Sequence, residues 1–297
     1  MIDFIATPFE FGDLEKLQNA GAASVVIATP FFSARGAAYF PIEELPALRQ
    51  ECRRLKLNML VLVNRFFVEE ELPQLRTHLQ LLKDLDVEGI YYGDEGVLQE
   101  AILLGMSEKL IYNPDTLITN KEDVQYYLDE GIRMVTISKE ITLEEICSIA
   151  RGVKGECEVV IHGRLNMMHS KRNLISNYLD FIGKSEDIKD KHSLYIMEET
   201  RDDHMPIVED DLGTHVFTGF TLSSFDEIED MVNAGIRHFR IDGIFKDIDY
   251  VCEVLSLYRK ILNKELKGRE VYQESVKQYP QDHVTKGFYY TKTSKVK

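Results

Sequence analysis

The sequence alternates regularly between short β-branched runs and amphipathic stretches of about a dozen residues. This alternation predicts parallel strands, each followed by a helix that packs back on the sheet. Eight runs qualify as strands: residues 2–6, 24–28, 59–63, 89–92, 109–112, 134–137, 158–161 and 238–241. Eight units of this kind predict an α/β fold, a TIM-barrel-like parallel (β/α)8 barrel.

The ends of the predicted helices carry their own signals. A glycine stands at the end of three of them, where a left-handed C-cap is needed before the next strand: Gly21, Gly131 and Gly235. At the opposite end, Asp13 and Ser224 are predicted to be N-caps, with Ser224 and Glu227 forming a capping box.

One connection breaks the repeat, because about 75 residues separate the seventh strand from the eighth, far more than an ordinary connection needs. Residues 194–217 have the pattern of antiparallel strands with turns at 201–203 and 211–213, so we expect a small β insertion over about residues 164–222. The barrel is assigned to residues 1–262. Residues 263–297 are polar, include Lys292, Lys295 and Lys297, and are expected to form a solvated, partly disordered tail.

The charge, hydropathy and cysteine content of the sequence argue against several classes of protein. The 35 Lys and Arg against 50 Asp and Glu give a net charge of −15, which argues against binding nucleic acid through the overall field but leaves room for a local basic site. No apolar run approaches the ~18–20 residues of a membrane span and no signal peptide is recognised, so a cytoplasmic protein without membrane contact is expected. The cysteines, whose spacing fits no zinc ribbon, are expected to be reduced thiols: Cys52, Cys147, Cys157 and Cys252.

Candidate site residues follow from the barrel, whose reactive side chains stand at the C-terminal ends of the strands. The side chains there suit an anionic small molecule or a phosphate ester. The candidate ligand-binding residues are Arg35, Asn64, Asn113, Lys139, Arg164, His169 and Asp242, and the candidate catalytic residues are Glu140, His162 and Asp94. Each has the alternative of a helix cap or a surface ion pair, and Asp94 in particular precedes a predicted helix. The histidine spacings predict no metal site.

Residues 158–178 resemble the signature of the peptidase U32, or collagenase-like peptidase, family, which has the form E-V-x-V-H-G-x-x-C-x-x-x-S-x-R-C-x-x-S. Further segments resemble the family in the same order along the chain: residues 12–17, 19–22, 32–35, 138–146, 239–243 and 285–289. The resemblance therefore covers nearly the whole chain.

The resemblance implies either the peptidase activity of the family's label or an oxygen-independent hydroxylation. In better understood relatives the hydroxylated group is the tRNA wobble uridine, with prephenate implicated, or the ubiquinone ring, and a second, longer family member takes part. Those relatives hold an iron–sulfur cluster through four cysteines. Here Asn166 and Asn173 occupy the two signature cysteine positions and Ser223 stands at a later one. Since amides and hydroxyls do not replace cluster thiolates, no cofactor is expected on this chain, which resembles the short, cluster-less member of a hydroxylation pair.

Three functions remain open on these grounds. The preferred one is an accessory or co-catalytic subunit in prephenate-dependent tRNA wobble-uridine 5-hydroxylation, with a longer U32-family partner. The side chains at the C-terminal ends of the strands would then bind a small anionic ligand such as prephenate. Lys171 and Arg172 would contact tRNA within the complex. The second is a U32 peptidase, which needs an activated nucleophile or a metal-bound water. Neither is found at usable spacing, although an acid pair such as Asp94 and Glu140 could activate water. The third is a non-enzymatic, partner-binding barrel.

Overall fold

Eight parallel strands close into a barrel in the computed structural model, which describes residues 2–189, 191–197, 199 and 204–292. The barrel strands are β1 (Asp3–Ala6), β2 (Ser24–Ala28), β3 (Asn58–Val63), β4 (Gly89–Tyr92), β5 (Leu110–Tyr112), β6 (Met134–Thr136), β7 (Glu156–Ser170) and β11 (His238–Ile241). Each of β1 to β6 pairs in parallel with the next strand, and β11 pairs with both β1 and β7. The predicted (β/α)8 barrel is confirmed.

Helices surround this barrel and follow its strands along the chain. They are α1 (Asp13–Ala20), α2 (Leu45–Leu55), α3 (Leu72–Leu85), α4 (Glu95–Leu103), α5 (Lys121–Asp129), α6 (Leu143–Gly152), α8 (Ile228–Asn233) and α9 (Ile248–Leu262). Across the part of the chain that the structure describes, no helix is both long and apolar enough to cross a membrane.

The strands are buried on both faces. One apolar cluster lies between strands and helices, and a smaller one fills the barrel interior: Ile5, Val26, Ala28, Leu60, Leu62, Tyr91, Ile111 and Met134. Burial on both faces explains why the strands read as nearly continuous apolar runs rather than as alternating ones.

The predicted C-terminal glycines all adopt the left-handed backbone, with φ of 112° at Gly21, 83° at Gly131 and 106° at Gly235. The predicted N-caps are wrong. Asp13 is the first residue of α1, and its Oδ2 accepts hydrogen bonds from the backbone N–H groups of two residues that precede the helix. The Ser224 hydroxyl donates to the Ile161 carbonyl instead of capping α8.

An antiparallel insertion extends the barrel at its C-terminal end. Strand β7 is 15 residues long, and its outer part pairs with β10 (Gly213–Ser223), which pairs with β9 (His204–Asp210), followed by β8 (Tyr195–Met197). Helix α7 (Leu174–Phe181) precedes β8. The antiparallel prediction is confirmed, although the turn predicted at 201–203 lies outside the described residues.

The C-terminal segment belongs to the fold, which corrects the expected solvated tail. Helix α10 (Gly268–Gln278) packs beside α9, and β12 (Val284–Thr285) pairs in parallel with β10. Tyr289 is buried, and its hydroxyl lies 2.6 Å from the Ser224 hydroxyl. Lys292 is exposed, whereas Lys295 and Lys297 lie outside the described residues.

A histidine joins three strands at the N-terminal end of the barrel. His238 Nδ1 lies 2.9 Å from Asp3 Oδ2, and its Nε2 lies 3.0 Å from Glu156 Oε2. Burial lowers the pKa of His238, but the two carboxylates outweigh burial, so that the pKa is raised. The protonated form is therefore favoured by folding.

His238→Gln is expected to destabilise the protein in a pH-dependent way. The contribution of a group with a raised folded pKa is complete below the unfolded pKa of about 6.5 and is lost as the pH rises through the folded pKa. Urea unfolding of both proteins from about pH 5.5 to about pH 9 should therefore show a difference in unfolding free energy that shrinks with rising pH. The exposed His283 provides the control, His283→Gln. A difference that is constant with pH would contradict this role.

Candidate functional site

A polar pocket lies at the C-terminal end of the barrel, where barrel enzymes place their active sites. It is lined by Arg35, Asn64, Asn113, Asp115, Thr136, Ile137, Lys139, Val160, Arg164, Leu165, Asn166, Phe217, Arg240 and Asp242. Six of the seven predicted ligand-binding residues are in this set, all except His169. We call this cavity the central pocket.

Asp115 forms one charged cluster of the central pocket. Its carboxylate lies 2.9 Å from Arg35 Nη2 and 3.1 Å from Lys139 Nζ. Burial acts to raise the pKa of Asp115, but Lys139 and Arg35 hold it well below its usual range. Arg35 and Asp115 both have left-handed backbones, with φ of 59° and 64°, a conformation that costs a non-glycine residue about 1–3 kcal/mol. The fold therefore holds this ion pair in place at the expense of local strain.

Arg240 forms the second charged cluster. Its Nη2 lies 2.9 Å from Asp242 Oδ2, and its guanidinium lies 5.1 Å from the ring centroid of Tyr91. Burial acts to lower the pKa of Arg240, but neighbouring groups led by Asp242 raise it. Its Nε and Nη1 are buried and have no hydrogen-bond partner among the described residues. Because an unpaired buried donor costs about 1–3 kcal/mol, these two N–H groups favour an acceptor that enters the pocket.

A buried carboxyl group lies beneath the pocket. Glu158 is fully buried and accepts hydrogen bonds from the Tyr91 hydroxyl and, at 3.1 Å, from Thr136 Oγ1. Burial raises the pKa of Glu158, although Arg240 opposes this shift. Arg240 thus lies between the buried Glu158 and the pocket carboxylate Asp242.

Two predicted ligand-binding amides hold the loops of the site. The side chain of Asn64 exchanges two hydrogen bonds with the backbone of Ala34, at 2.8 and 3.0 Å, and so fixes the loop that follows β2. Asn113 Oδ1 accepts a hydrogen bond from the Asp115 N–H at 3.2 Å. Both side chains line the pocket, and both position the charged residues within it.

Cations outnumber acids in the central pocket. Arg35, Lys139, Arg164 and Arg240 face Asp115 and Asp242, a local excess of two positive charges in a chain of net charge −15. Arg164 forms no ion pair with a carboxylate within the described part of the chain, and its Nη1 donates to the Thr218 carbonyl at 2.7 Å. Guanidinium groups bind carboxylates and phosphates in a bidentate manner, so the pocket is suited to a small anion.

His162 lies behind the barrel wall rather than at the rim, which corrects its predicted position. A register shift in the pairing of β7 with β11 occurs between Val160, which lines the pocket, and His162. Such a bulge turns the following side chain to the other face of the strand. His162 is consequently buried between Tyr250 and Tyr258, at 2.9 and 3.4 Å, and burial lowers its pKa to about 3.

Asp94 and Glu140, the other two predicted catalytic residues, do not line the central pocket. Asp94 caps α4, as its alternative interpretation states: Oδ1 accepts from Gly96 N–H at 2.7 Å and Oδ2 from Phe67 N–H at 2.8 Å. Glu140 is half-buried, and burial raises its pKa. A joint catalytic role for these two carboxyl groups stays a prediction.

Sequence reasoning missed Arg240, although the sequence contained a signal. Its neighbours Phe239 and Ile241 are fully buried on the helix-facing side of β11. By strand alternation Arg240 points into the barrel, and a charged residue at such a position in an apolar strand indicates a buried polar site.

A second cavity, a groove of about 690 Å³, opens beside the central pocket. It is lined by Pro30, Phe31, Ser33, Tyr39, Arg65, Phe66, Val68, Glu71, His169, Lys171, Asp210, Asp211 and Leu212. We call it the aromatic groove. His169 and Lys171, predicted to bind ligand and nucleic acid, lie here, whereas Arg172 is exposed nearby and does not line the groove.

The residues at the family's cluster positions do not fit an iron–sulfur cluster. The Asn166 amide donates to the carbonyls of Met168 and Val216, and Asn173 directly precedes α7. The free cysteines lie on four separate elements, α2, α6, β7 and α9, and burial raises the pKa of Cys52 and Cys157 to about 12. Among the residues whose placement is described, no three His, Cys, Asp or Glu side chains form a group that could hold a metal.

Comparison with known proteins gives a consistent set of relatives. Residues 10–297 match the model of peptidase family U32. The tRNA hydroxylation protein P2 of Bacillus subtilis (strain 168) is 28% identical over 274 residues, which cover 91% of this chain and 89% of that protein. The tRNA hydroxylation protein P1 of the same organism is 25% identical, over 85% of this chain and 61% of that protein. The solved structure of the U32 peptidase Mk0906 superposes with a TM-score of 0.52 at 13% identity, covers 81% of this chain and 92% of its own, and shows the shared fold.

Proposed function

This chain belongs to the peptidase U32 family, and on that premise we propose that it is an accessory or co-catalytic subunit in tRNA wobble-uridine 5-hydroxylation. The observation that carries the proposal is the central pocket, a cationic site at the catalytic end of a barrel that otherwise carries excess negative charge. The similarity to a tRNA hydroxylation protein along 91% of the chain supports the same reaction.

The proposed ligand of the central pocket is a small carboxylate such as prephenate, for which the pocket, about 30 Å³ in this structure, has to widen on binding. Among the described residues, two N–H donors of Arg240 have no hydrogen-bond partner and the guanidinium of Arg164 has no carboxylate partner. Lys139 and Arg35, both paired with Asp115, add two more cations to the pocket. A ligand with two carboxylates would therefore meet a cation at each of its ends. The apolar side chains of Phe217 and Leu165 complete the wall against the ligand's carbon skeleton.

A longer U32-family partner completes the proposed system. The net charge of −15 opposes unaided binding of a polyanion, which favours tRNA binding through a complex in the cytoplasm. Asn166 and Asn173 offer no thiolate, so in this proposal the cluster and its redox chemistry belong to the partner. The role of this chain is then to bind and orient the small carboxylate and to exclude water from it.

Arg164→Met is expected to weaken prephenate binding about 10- to 100-fold, the loss of one charge-assisted contact. This substitution leaves no buried carboxylate unpaired, because Arg164 donates only to a carbonyl within the described residues. Calorimetric titration with prephenate measures the affinity. Arg53→Met, on the exposed outer face of α2, is the matched control and should bind as the wild type does.

The same variants test the function in cells. In a strain without redundant pathways, deletion of the gene should remove 5-hydroxyuridine derivatives from tRNA, as measured by mass spectrometry. Complementation with Arg164→Met should restore the complex with the partner but little of the modification, and Arg53→Met should restore both. Unchanged modification after deletion would refute the proposal. Turnover of collagen-derived peptides that is lost in Glu140→Gln would favour the peptidase instead.

A further inference from the structure

Three hydrogen-bonded side chains lead from the insertion to the wall of the aromatic groove. His215 Nε2 lies 3.3 Å from Asp210 Oδ1, and His215 Nδ1 lies 3.0 Å from His169 Nδ1. His215 is buried, while His169 is partly exposed and lines the groove. The Leu212 N–H also donates to Asp210 Oδ1, at 2.8 Å, and none of the three side chains lines the central pocket.

The order of the contacts determines where the protons lie. Burial acts to raise the pKa of Asp210, but interactions with His215 and hydrogen bonds from the backbone N–H groups of Leu212 and Gly213 together outweigh burial and lower the pKa, so Asp210 is an acceptor. With both rings neutral, His215 carries its proton on Nε2 and presents a lone pair at Nδ1. His169 must then donate from Nδ1, which leaves its Nε2 as an unprotonated acceptor. That nitrogen has no hydrogen-bond partner within the described residues.

The walls of the groove are aromatic and apolar. The ring of Phe66 lies 5.5 Å from that of His169, and Phe66 and Val68 are both close to half exposed. Exposed aromatic faces of this kind stack on planar rings. The surface is therefore suited to a flat ligand rather than to an extended aliphatic one.

The charges of the groove fit a single phosphate rather than a long polyanion. Lys171 is exposed and forms no ion pair within the described chain, whereas Arg65 is paired with Glu71 and donates to the Phe31 carbonyl. Asp210 and Asp211 add negative charge to the wall. One unpaired cation can bind one phosphate, and the apolar surface beside it can bind one base, so the groove is suited to a single nucleotide.

We propose that the aromatic groove binds a uracil nucleotide, with the imide N–H of the base donating to His169 Nε2. The ring lies against Phe66 and the phosphate lies at Lys171, while His215 and Asp210 are positioning residues that keep the acceptor unprotonated. The acceptor and the flat walls require a planar ring with an N–H donor, and the choice of uracil among such rings rests on the proposed function.

The groove and the central pocket share two segments, so that ligands in the two cavities would be neighbours. In the loop after β2, Ser33 lines the groove and Arg35 lines the pocket; on β7, His169 lines the groove and Asn166 lines the pocket. A base in the groove therefore lies next to the proposed carboxylate ligand.

Calorimetric titration of the full chain with uridine monophosphate, its N3-methyl derivative and cytidine monophosphate tests the site. The two analogues lack the imide N–H, and each is expected to bind about tenfold or more weakly than uridine monophosphate. In His169→Phe, which keeps a ring but no lone pair, this preference should disappear. His204→Phe, at an exposed histidine outside the groove, should keep it. Equal binding of uridine monophosphate and its N3-methyl derivative to the wild type, or no binding, would overturn the proposal.

Asp210, His215 and His169 form a relay of hydrogen bonds, and a substitution at Asp210, its far end from the groove, gives a readout that a purely structural role would not produce. The amide of Asp210→Asn can donate to His215 Nε2, which reverses both tautomers and places a proton on His169 Nε2. Cytosine, whose N3 is an acceptor, should then bind better than uracil, and ¹⁵N spectra of the imidazoles should show the protonated Nε2. A wild-type spectrum with a protonated His169 Nε2, or a variant that keeps the uracil preference, would refute the relay.

The outcomes separate this inference from the proposed function. Selective binding of uridine monophosphate together with unchanged tRNA after gene deletion would refute the function and support the groove. Loss of the modification after deletion, together with no discrimination between uridine monophosphate and its N3-methyl derivative, would support the function and refute the groove.

Discussion

Arg240→Met is expected to lower the free energy of unfolding by about 3–5 kcal/mol, the cost of removing one partner from a buried ion pair. The Arg240 side chain is only 11% exposed and lies between Asp242 and the buried Glu158. Methionine matches much of its volume, so that the loss is mainly electrostatic. Equilibrium unfolding in urea measures the change. Binding of prephenate should be lost in the same variant, because two donors to the pocket disappear.

Two further variants identify the cause. Arg53→Met removes an exposed arginine whose ion pair with Asp86 is 3.8 Å long, and it should change the stability by about 0.5 kcal/mol or less. The double variant Arg240→Met with Asp242→Asn should be more stable than Arg240→Met alone, because the unpaired carboxylate is gone. A loss of less than about 1 kcal/mol in Arg240→Met would mean that the cluster does not stabilise the barrel.

Tyr289→Ala is expected to destabilise the protein by about 3–5 kcal/mol, as for other large aromatic side chains removed from a core. Tyr289 is 2% exposed, its hydroxyl contacts Ser224 at 2.6 Å, and its carbonyl accepts from the first residue of α6. The variant tests whether the segment after α9 is part of the folded unit. Thermal and urea unfolding both report the change.

The exposed Tyr178 on α7 supplies the matched control for this substitution. It is 61% exposed, and Tyr178→Ala should change the stability by about 0.5 kcal/mol or less. Equal effects of the two substitutions would show that the C-terminal segment is not packed against the barrel in solution.

The barrel and most of the residues at its C-terminal end could be predicted from local sequence patterns. All eight strands lie where the β-branched runs predict them, and Gly21, Gly131 and Gly235 end helices as expected. The reason is that strand burial, helix periodicity and the left-handed C-cap each require particular residue types within a few consecutive positions, so a local pattern is enough to predict them. The rule that strands of a barrel end at one face then brought six of the seven candidate ligand-binding residues to one pocket.

Which of these side chains lie together depends on contacts made in the folded protein. The bulge in β7 turns His162 into the core, the alternation of β11 brings Arg240 into the pocket, and pairing of β12 with β10 orders a segment that reads as a polar tail. The hydrogen bonds from Asp210 through His215 to His169 join three strands, β9, β10 and the outer part of β7. These features depend on contacts between residues far apart in the chain. In addition, one extra residue in a strand reverses the direction of every side chain that follows, and a local sequence pattern does not predict where such a bulge occurs.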